Sequence, residues 1–259
     1  MTRRAAKRPA QPTQAPETPK AFAGERIAKV LARAGLCSRR EAERWIADGR
    51  VSLNGAVLTS AAVNVNPTDA VVVDGKPLAA PEKSRLWRYH KPPGLVTTHR
   101  DEKGRTTVFD AVRNQLPRVV SVGRLDLTSE GLLLLTNDGA LARELEHPSR
   151  GWARRYRVRV HGEVNPEALA ALQSGITVEG VHYGPITAAL ERTQGAKNAW
   201  LTMTLTEGKN REVRKVLAHL GLTVTRLIRV SYGPFHLGRL ERGEVEEVPG
   251  KVVKEQLGR

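Results

Sequence analysis

Apolar positions along the chain alternate between two spacings, and each change of spacing marks a new element. Ile27, Val30, Leu31 and Ala34 recur at helical spacing and Gly35 stops them, which predicts a short helix. Ser38 and Glu41, three apart and ahead of Ala42, Trp45 and Ile46, form a capping-box signature for a second helix ended by Gly49. Then Val51-Ser52-Leu53 runs into Asn54-Gly55 and Val71-Val72-Val73 into Asp74-Gly75, dipeptides that suit the positive φ of hairpin turns.

Pro81 to Ser84 is a polar break that reads as a linker. A strand is expected from Leu86 to His90, ending at Lys91-Pro92-Pro93-Gly94, and Thr106 to Asp110 opens a short helix or strand with Asp110 available as a cap. The run Leu132 to Leu135 is too short for a membrane span and predicts a strand buried on both faces, closed by an Asn137-Asp138-Gly139 turn. A helix at Ala140 to Glu146 stops before Pro148. Residues 153–164 alternate: Tyr156, Val158 and Val160 on one face, Arg155, Arg157, Arg159 and His161 on the other, which is a half-buried strand with a basic outer face. Asn165-Pro166 starts a helix through Leu172, and strands follow at 176–178, 186–191 and 200–206. A helix opens at 207–217 and ends at Gly221, and strands at 224–230 and 244–248 flank the loop 233–238. Strands with a few intervening helices predict an α+β protein: a small N-terminal α/β module and a larger domain on a mainly antiparallel mixed sheet. The expected boundaries are a disordered basic arm at 1–21, the module at 22–80, the larger domain at 84–250 and a C-terminal tail at 251–259. The arm is either a solubilising tail or a weak phosphate-binding extension.

Lys plus Arg number 42 against 27 Asp plus Glu, a net charge of +15 that calls for a polyanionic partner, most often nucleic acid. The single cysteine, Cys37, excludes a disulfide or thiolate zinc cluster within the chain, and the scattered histidines show no metal spacing, so no metal is expected. No apolar run reaches membrane-spanning length and the basic N-terminus lacks an apolar core, so a cytoplasmic protein without a membrane partner is expected. No glycine-rich nucleotide loop is present, so no nucleotide cofactor is expected either. Nothing marks an oligomer, and a monomer is the expectation.

Without metal, thiolate or nucleotide loop, the candidate reactive group is a carboxylate. Asp126 stands out in SVGRLDLTSEGLLLLTNDG, two residues after Arg124 and just ahead of the leucine run. If Gly123 to Asp126 is extended, Arg124 and Asp126 share a face. That pair is either a surface ion pair in a tight loop or a reactive carboxylate held ionised by its neighbour. A carboxylate can attack a sugar anomeric carbon or remove a proton beside it, whereas glycoside hydrolysis usually needs two. Tyr156 is either a core tyrosine or a platform that stacks on a base and relays a proton. Lys209, Arg211, Arg214 and Lys215 form a basic cluster near the start of one helix. On the second N-terminal helix, Arg39, Arg40 and Arg44 either solvate a surface or contact phosphates.

ERIAKVLARAGLCSRREAERWIADGRVSLNGAVL resembles the RNA-binding module of ribosomal protein S-four over about residues 24–80, which implies RNA contacts by Arg33, Arg39, Arg40, Arg44 and Arg50. KPPG, GRLDLTSEGLLLLTNDG, RRYRVRV, EGKNREVRKVL and RLIRVSYGPFHLG, in that order, resemble the RsuA/RluB-type ribosomal-RNA pseudouridine synthases, with the last two closer to the RluB type that acts on large-subunit 23S RNA. The resemblance implies a cofactor-independent isomerisation of uridine to pseudouridine, with ribosomal RNA or a pre-ribosomal particle as partner. It implies Asp126 as the catalytic aspartate, Tyr156 as the stacking and proton-relay tyrosine, Arg214 as the basic residue paired with the aspartate, and Arg124 as the group that helps hold the uridine out of its helix. Ile228 falls where the family places an apolar residue under the base. The rival from another class is a non-catalytic RNA-binding or ribosome-assembly factor.

Overall fold

The computed structural model describes residues 24–195 and 197–258, so the arm expected at 1–21 lies outside the described residues. The described residues divide into two compact units: Gly24–Leu31 with Ser38–Leu78, and Ala32–Cys37 with those from Ala79 to Gly258.

In the smaller unit β1 (Glu25–Arg26) leads into α1 (Ile27–Arg33) and α2 (Arg39–Ala47). The Ser38 Oγ accepts the Glu41 N–H at 3.1 Å, and the Glu41 carboxylate accepts the Ser38 N–H at 2.7 Å. This reciprocal box satisfies two of the donors a helix start leaves open. Ala42 and Ile46 are buried beneath α2. Strands β2 (Val51–Leu53), β3 (Ala56–Val57), β4 (Asn64–Val65), β5 (Val71–Val73) and β6 (Lys76–Pro77) follow, with β4 pairing β1 and the others ordered β3-β2-β5-β6. The two hairpins turn at Asn54-Gly55 (φ 51° and 86°) and Asp74-Gly75 (φ 48° and 76°), both residues left-handed as a tight two-residue turn requires.

The larger unit opens with β7 (Leu86–Lys91), α3 (Val108–Val112), β8 (Val120–Val122), β9 (Ser129–Thr136) and α4 (Gly139–Glu146). It continues with β10 (Arg154–His161), α5 (Pro166–Ala171), β11 (Ile176–Val178), β12 (Val181–Tyr183), β13 (Ile186–Thr193), β14 (Asn198–Leu205) and α6 (Glu212–His219). It closes with β15 (Thr223–Tyr232), β16 (Phe235–His236), β17 (Val245–Val248) and α7 (Gly250–Leu257). The main sheet runs β13-β14-β10-β15-β9-β7-β17, with β8 on β9 and β16 on β15. Of its pairings β15 with β9 is parallel and the rest are antiparallel, as the mainly antiparallel mixed sheet of the sequence reading has it.

Every residue of β9 is buried, and its leucines alternate between faces. Leu133 and Leu135 join Tyr89, Tyr156, Val158 and Leu227 in one core, while Leu132 and Leu134 join Leu86, Trp200, Ile228 and Tyr232 in the other. Central strands covered on both sides read as unbroken apolar runs for this reason.

Three local readings differ from the structure. Asn137-Asp138-Gly139 is a helix cap and not a turn: the Asp138 carboxylate accepts the N–H groups of Ala140 (2.8 Å) and Leu141 (3.4 Å). The stretch at 251–259 is helical through Leu257, because Val253 and Leu257 pack on the second core. The helix read from residue 207 starts at Glu212, because Arg211 is left-handed (φ 52°) and ends the loop before it.

Candidate active site

A cleft of about 480 Å³ opens over the first core. The loop from β8 to β9 supplies Arg124, Leu125 and Asp126, β10 supplies Arg154 and Tyr156, the loop before α6 supplies Gly208 to Arg211, and β15 supplies Leu227 and Arg229. The cleft therefore draws on segments far apart in sequence.

The Asp126 loop is anchored by its backbone. Gly123 is left-handed (φ 68°), and Leu125 is buried as a plug. The fully buried Lys91 ammonium donates to the carbonyls of Ser129 (2.8 Å), Pro92 (3.0 Å) and Asp126 (3.2 Å). Burial lowers the Lys91 pKa to about 8, opposed by the negative charges of Asp126 and Glu130. Thr97 Oγ1 donates to the Leu125 carbonyl at 2.8 Å, and the Gly94 N–H donates to Leu127 at 2.8 Å. The half-buried Asp126 carboxylate faces the cleft with no hydrogen bond or ion pair among the described residues. A carboxylate placed this way keeps its lone pairs for a substrate.

Arg124 does not clasp Asp126. Both line the cleft, but Arg124 is exposed and no ion pair joins the two among the described residues. Strand β8 ends at Val122, and the left-handed Gly123 leads into the loop on which Arg124 and Asp126 both reach the cleft while Leu125 between them is buried. Arg214 is a second cation that supports the loop. Its Nη2 donates to the Thr128 carbonyl and its Nη1 to Val224, each at 3.3 Å, while its Nε is buried without a partner. Burial lowers its pKa, the Arg211 charge adds to this, and Asp126 opposes it. Arg214 thus acts on Asp126 through field and backbone, without a direct ion pair.

Tyr156 belongs both to the core and to the cleft wall. The bulge between Arg155 and Tyr156 sets it opposite Arg229 on β15. Lys209 is held at the rim by Glu207 (2.5 Å) and the His182 carbonyl (2.9 Å), and the Glu207 contact raises its pKa. Arg211 is exposed at the same rim. Beneath them Glu212 is buried, its Oε2 accepting the Lys209 N–H at 2.8 Å and its Oε1 left without a donor. Burial, reinforced by Glu207 and opposed by the Lys209 N–H, pushes its pKa up to about 7.

Two residues escaped the sequence reading of the site. Lys91 is visible in the sequence only as part of KPPG, and Arg229 only as part of RLIRVSYGPFHLG; their burial has no local signal. Leu227 lines the cleft, whereas Ile228 points to the opposite face of the sheet and joins the other core.

On α2 of the smaller unit Arg40 and Arg44 are exposed and Arg39 is partly covered; Arg33, at the end of α1 within the Ala32–Cys37 stretch, is exposed. Arg50 is engaged within the unit: its guanidinium grips Asp74 at 2.9 and 2.6 Å and lies 4.5 Å over the Trp45 ring. Among the described residues no helix is long and apolar enough to cross a membrane, and no group of three or more His, Cys, Asp or Glu could hold a metal ion.

Comparison with known proteins follows this division. Residues 85–219 match the RNA pseudouridylate synthase family and residues 25–71 match the S4 domain. A protein of Rickettsia bellii named as an uncharacterized RNA pseudouridine synthase is 47% identical over 230 residues, covering 89% of this chain and 99% of its own. The ribosomal large subunit pseudouridine synthase B of Pseudomonas aeruginosa is 41% identical over 255 residues, covering 94% of this chain and 65% of its own. A solved pseudouridylate synthase superposes with a TM-score of 0.61 at 25% identity, over 90% of this chain and 100% of that one. With a family match over half its length and relatives this similar across nearly all of it, the chain belongs to the RNA pseudouridylate synthases, isomerases that act on RNA, and carries an RNA-binding S4 domain ahead of the synthase domain.

Proposed function

We propose that the chain isomerises a uridine of large-subunit ribosomal RNA to pseudouridine, with Asp126 as the catalytic carboxylate. The observation that carries this reading is the Asp126 carboxylate itself, free of partners and facing a cleft with Tyr156 in its wall, on a loop whose backbone a buried ammonium anchors. The target nucleotide must leave its helix to reach such a site, at a cost of a few kcal/mol in lost stacking. Arg124, Lys209 and Arg211 at the rim suit the flanking phosphates, and Tyr156 suits the face of the base. Asp126 acts on the ribose, either by bonding to C1′ as N1 leaves or by taking the C2′ proton. After the base turns, C5 bonds to C1′ as the bond from C1′ to Asp126 breaks, or as C2′ recovers its proton from Asp126; the proton then lost from C5 is matched by one gained at N1. Arg214 holds the Thr128 carbonyl two residues beyond Asp126 and keeps a positive field on it. The S4 domain adds sequence-independent affinity through Arg33, Arg39, Arg40 and Arg44. The large-subunit preference rests on the Pseudomonas aeruginosa relative. The protein acts as a cytoplasmic monomer on ribosomal RNA or a pre-ribosomal particle.

The test is to incubate purified protein with unmodified large- and small-subunit RNA and map pseudouridine by chemical labelling and reverse-transcription stops. One site in the large-subunit RNA is expected, and Asp126→Asn should lose at least about a thousandfold in single-turnover rate while RNA affinity stays within threefold. A site in small-subunit RNA alone would overturn the substrate assignment. An Asp126→Asn enzyme with near-normal rate would overturn the assignment of the carboxylate.

A further inference from the structure

The cleft floor holds a cation that the reading of Asp126, Tyr156 and Arg214 leaves unused. Arg229 is 3% exposed, lies on β15 directly across from Tyr156, and lines the same cleft as Asp126. Its Nε donates to the Leu132 carbonyl at 2.8 Å, and its plane lies over the Tyr232 ring, 5.2 Å from the centroid. Its Nη2 is buried with no acceptor, and no carboxylate forms an ion pair with it among the described residues. The other basic side chains of the cleft are differently placed. Arg154 donates to the carbonyls of Trp152 and Thr206 and to the Tyr232 hydroxyl, and Lys209 is an exposed ammonium already paired with Glu207.

A buried guanidinium without a counter-charge is costly to hold, and one at a cleft floor has its field unspent until negative charge arrives. The position of Arg229 indicates where that charge appears. The ribose must meet Asp126 in its loop, and the base bonded to C1′ then lies on Tyr156, the cross-strand neighbour of Arg229. When the N1–C1′ bond breaks, its electron pair goes to N1 and the detached uracil is an anion spread over N1, O2 and O4. If Asp126 bonds to C1′, the negative charge of its carboxylate has in effect moved onto the base; if it takes the C2′ proton, the base again leaves as the anion. In both cases the charge comes to the floor; when C5 bonds to C1′, as Asp126 leaves C1′ or returns the C2′ proton, the base is neutral again, and loss of the C5 proton with gain of one at N1 completes pseudouridine.

We propose that Arg229 is a catalytic residue of this reaction, stabilising the uracil anion released when the glycosidic bond breaks. The assignment rests on the proposed function and adds to it the group that takes up the leaving-group charge. Backbone support for β9 through Leu132 is its structural role, and the experiment separates the two.

Full-length wild type, Arg229→Met and Arg229→Lys are compared in single-turnover reactions on one synthetic RNA that the wild type modifies, carrying either uridine or 5-fluorouridine at the target. Fluorine makes the base a better leaving group, so an enzyme that lacks anion stabilisation should be handicapped less on it. Loss of the N1–C1′ bond is read by nuclease digestion and mass spectrometry. Arg229→Met is expected to be slower by about 100-fold or more on uridine, by at least fivefold less than that on 5-fluorouridine, and to bind RNA within threefold of wild type. Arg229→Lys is expected to fall between, and its uridine to 5-fluorouridine ratio carries the test if the methionine variant does not fold. Equal defects on the two substrates would reduce Arg229 to a structural residue, and a rate near wild type would remove it altogether. A wild type that makes no pseudouridine in any RNA would instead overturn the proposed function on which this rests.

Discussion

Replacing Lys91 by Met tests the idea that a buried ammonium, and not the aspartate's own surroundings, holds the reactive loop in place. The substitution keeps the apolar stem and removes three charge-assisted hydrogen bonds, to Pro92, Asp126 and Ser129. Such bonds contribute about 1.5 to 3 kcal/mol each. Against them stands the cost of burying the charge: the pKa drop from 10.5 to about 8 corresponds to roughly 3 kcal/mol, at about 1.4 kcal/mol per unit. The bonds win by a few kcal/mol, so Lys91→Met should destabilise the larger unit by about 3 kcal/mol, a fall of about 6 to 12 °C in its unfolding midpoint. The linkage has a definite sign. Because the folded pKa lies below the unfolded value, the folded state releases this proton first, and the group adds stability as pH rises from about 8 toward 10.5. The gap between wild type and variant should widen over that window and stay flat below it. With its carbonyl anchors gone, the Asp126 loop should shift by enough to cost about 100-fold in single-turnover rate. Thermal unfolding at pH 7 and pH 9.5, with rates on one RNA at pH 7, checks all three. A midpoint within 2 °C of wild type together with a rate within threefold would refute the reasoning.

Gly131→Ala should be poorly tolerated: Gly131 is left-handed (φ 102°), and an added Cβ would lie 2.3 Å from the Arg229 carbonyl oxygen and 2.7 Å from its nitrogen, inside the parallel β9–β15 pairing. A fall of more than 10 °C in the midpoint, or loss of soluble protein, is expected, and a midpoint within 2 °C would show that the strands can part cheaply. Glu212→Gln should stabilise the larger unit above pH 7. The raised folded pKa of Glu212 means that its contribution to wild-type stability is complete below about 4.5 and is lost as pH rises through about 7, a loss of about 1 to 3 kcal/mol that the amide escapes. Urea midpoints measured from pH 5 to pH 8 should therefore diverge, with the variant ahead at the upper end; parallel curves would contradict this.

Much of the architecture was legible in the sequence, wherever neighbours along the chain decide the outcome. The Ser38 and Glu41 box closes over three residues, and the Asn54-Gly55 turn needs only its own two backbones, so both appear in the structure as the residues imply. The alternation of β10 and the unbroken leucines of β9 are equally plain, because burial on one face or both writes itself into the spacing. Asp126 and Tyr156 were legible as candidates through their motifs, and the cleft brings them together. Local readings failed where a left-handed residue or a cap intervened: Asp138 starts a helix, and Arg211 delays one. What only the tertiary structure decided is which face of β15 looks into the cleft, so that Leu227 and not Ile228 lies there, and which cations are buried. Lys91 reaches Ser129 across 38 positions of sequence and Arg229 reaches Leu132 across 97. Their burial and their hydrogen bonds come from strands that meet only when the sheet assembles, so no local pattern can encode them.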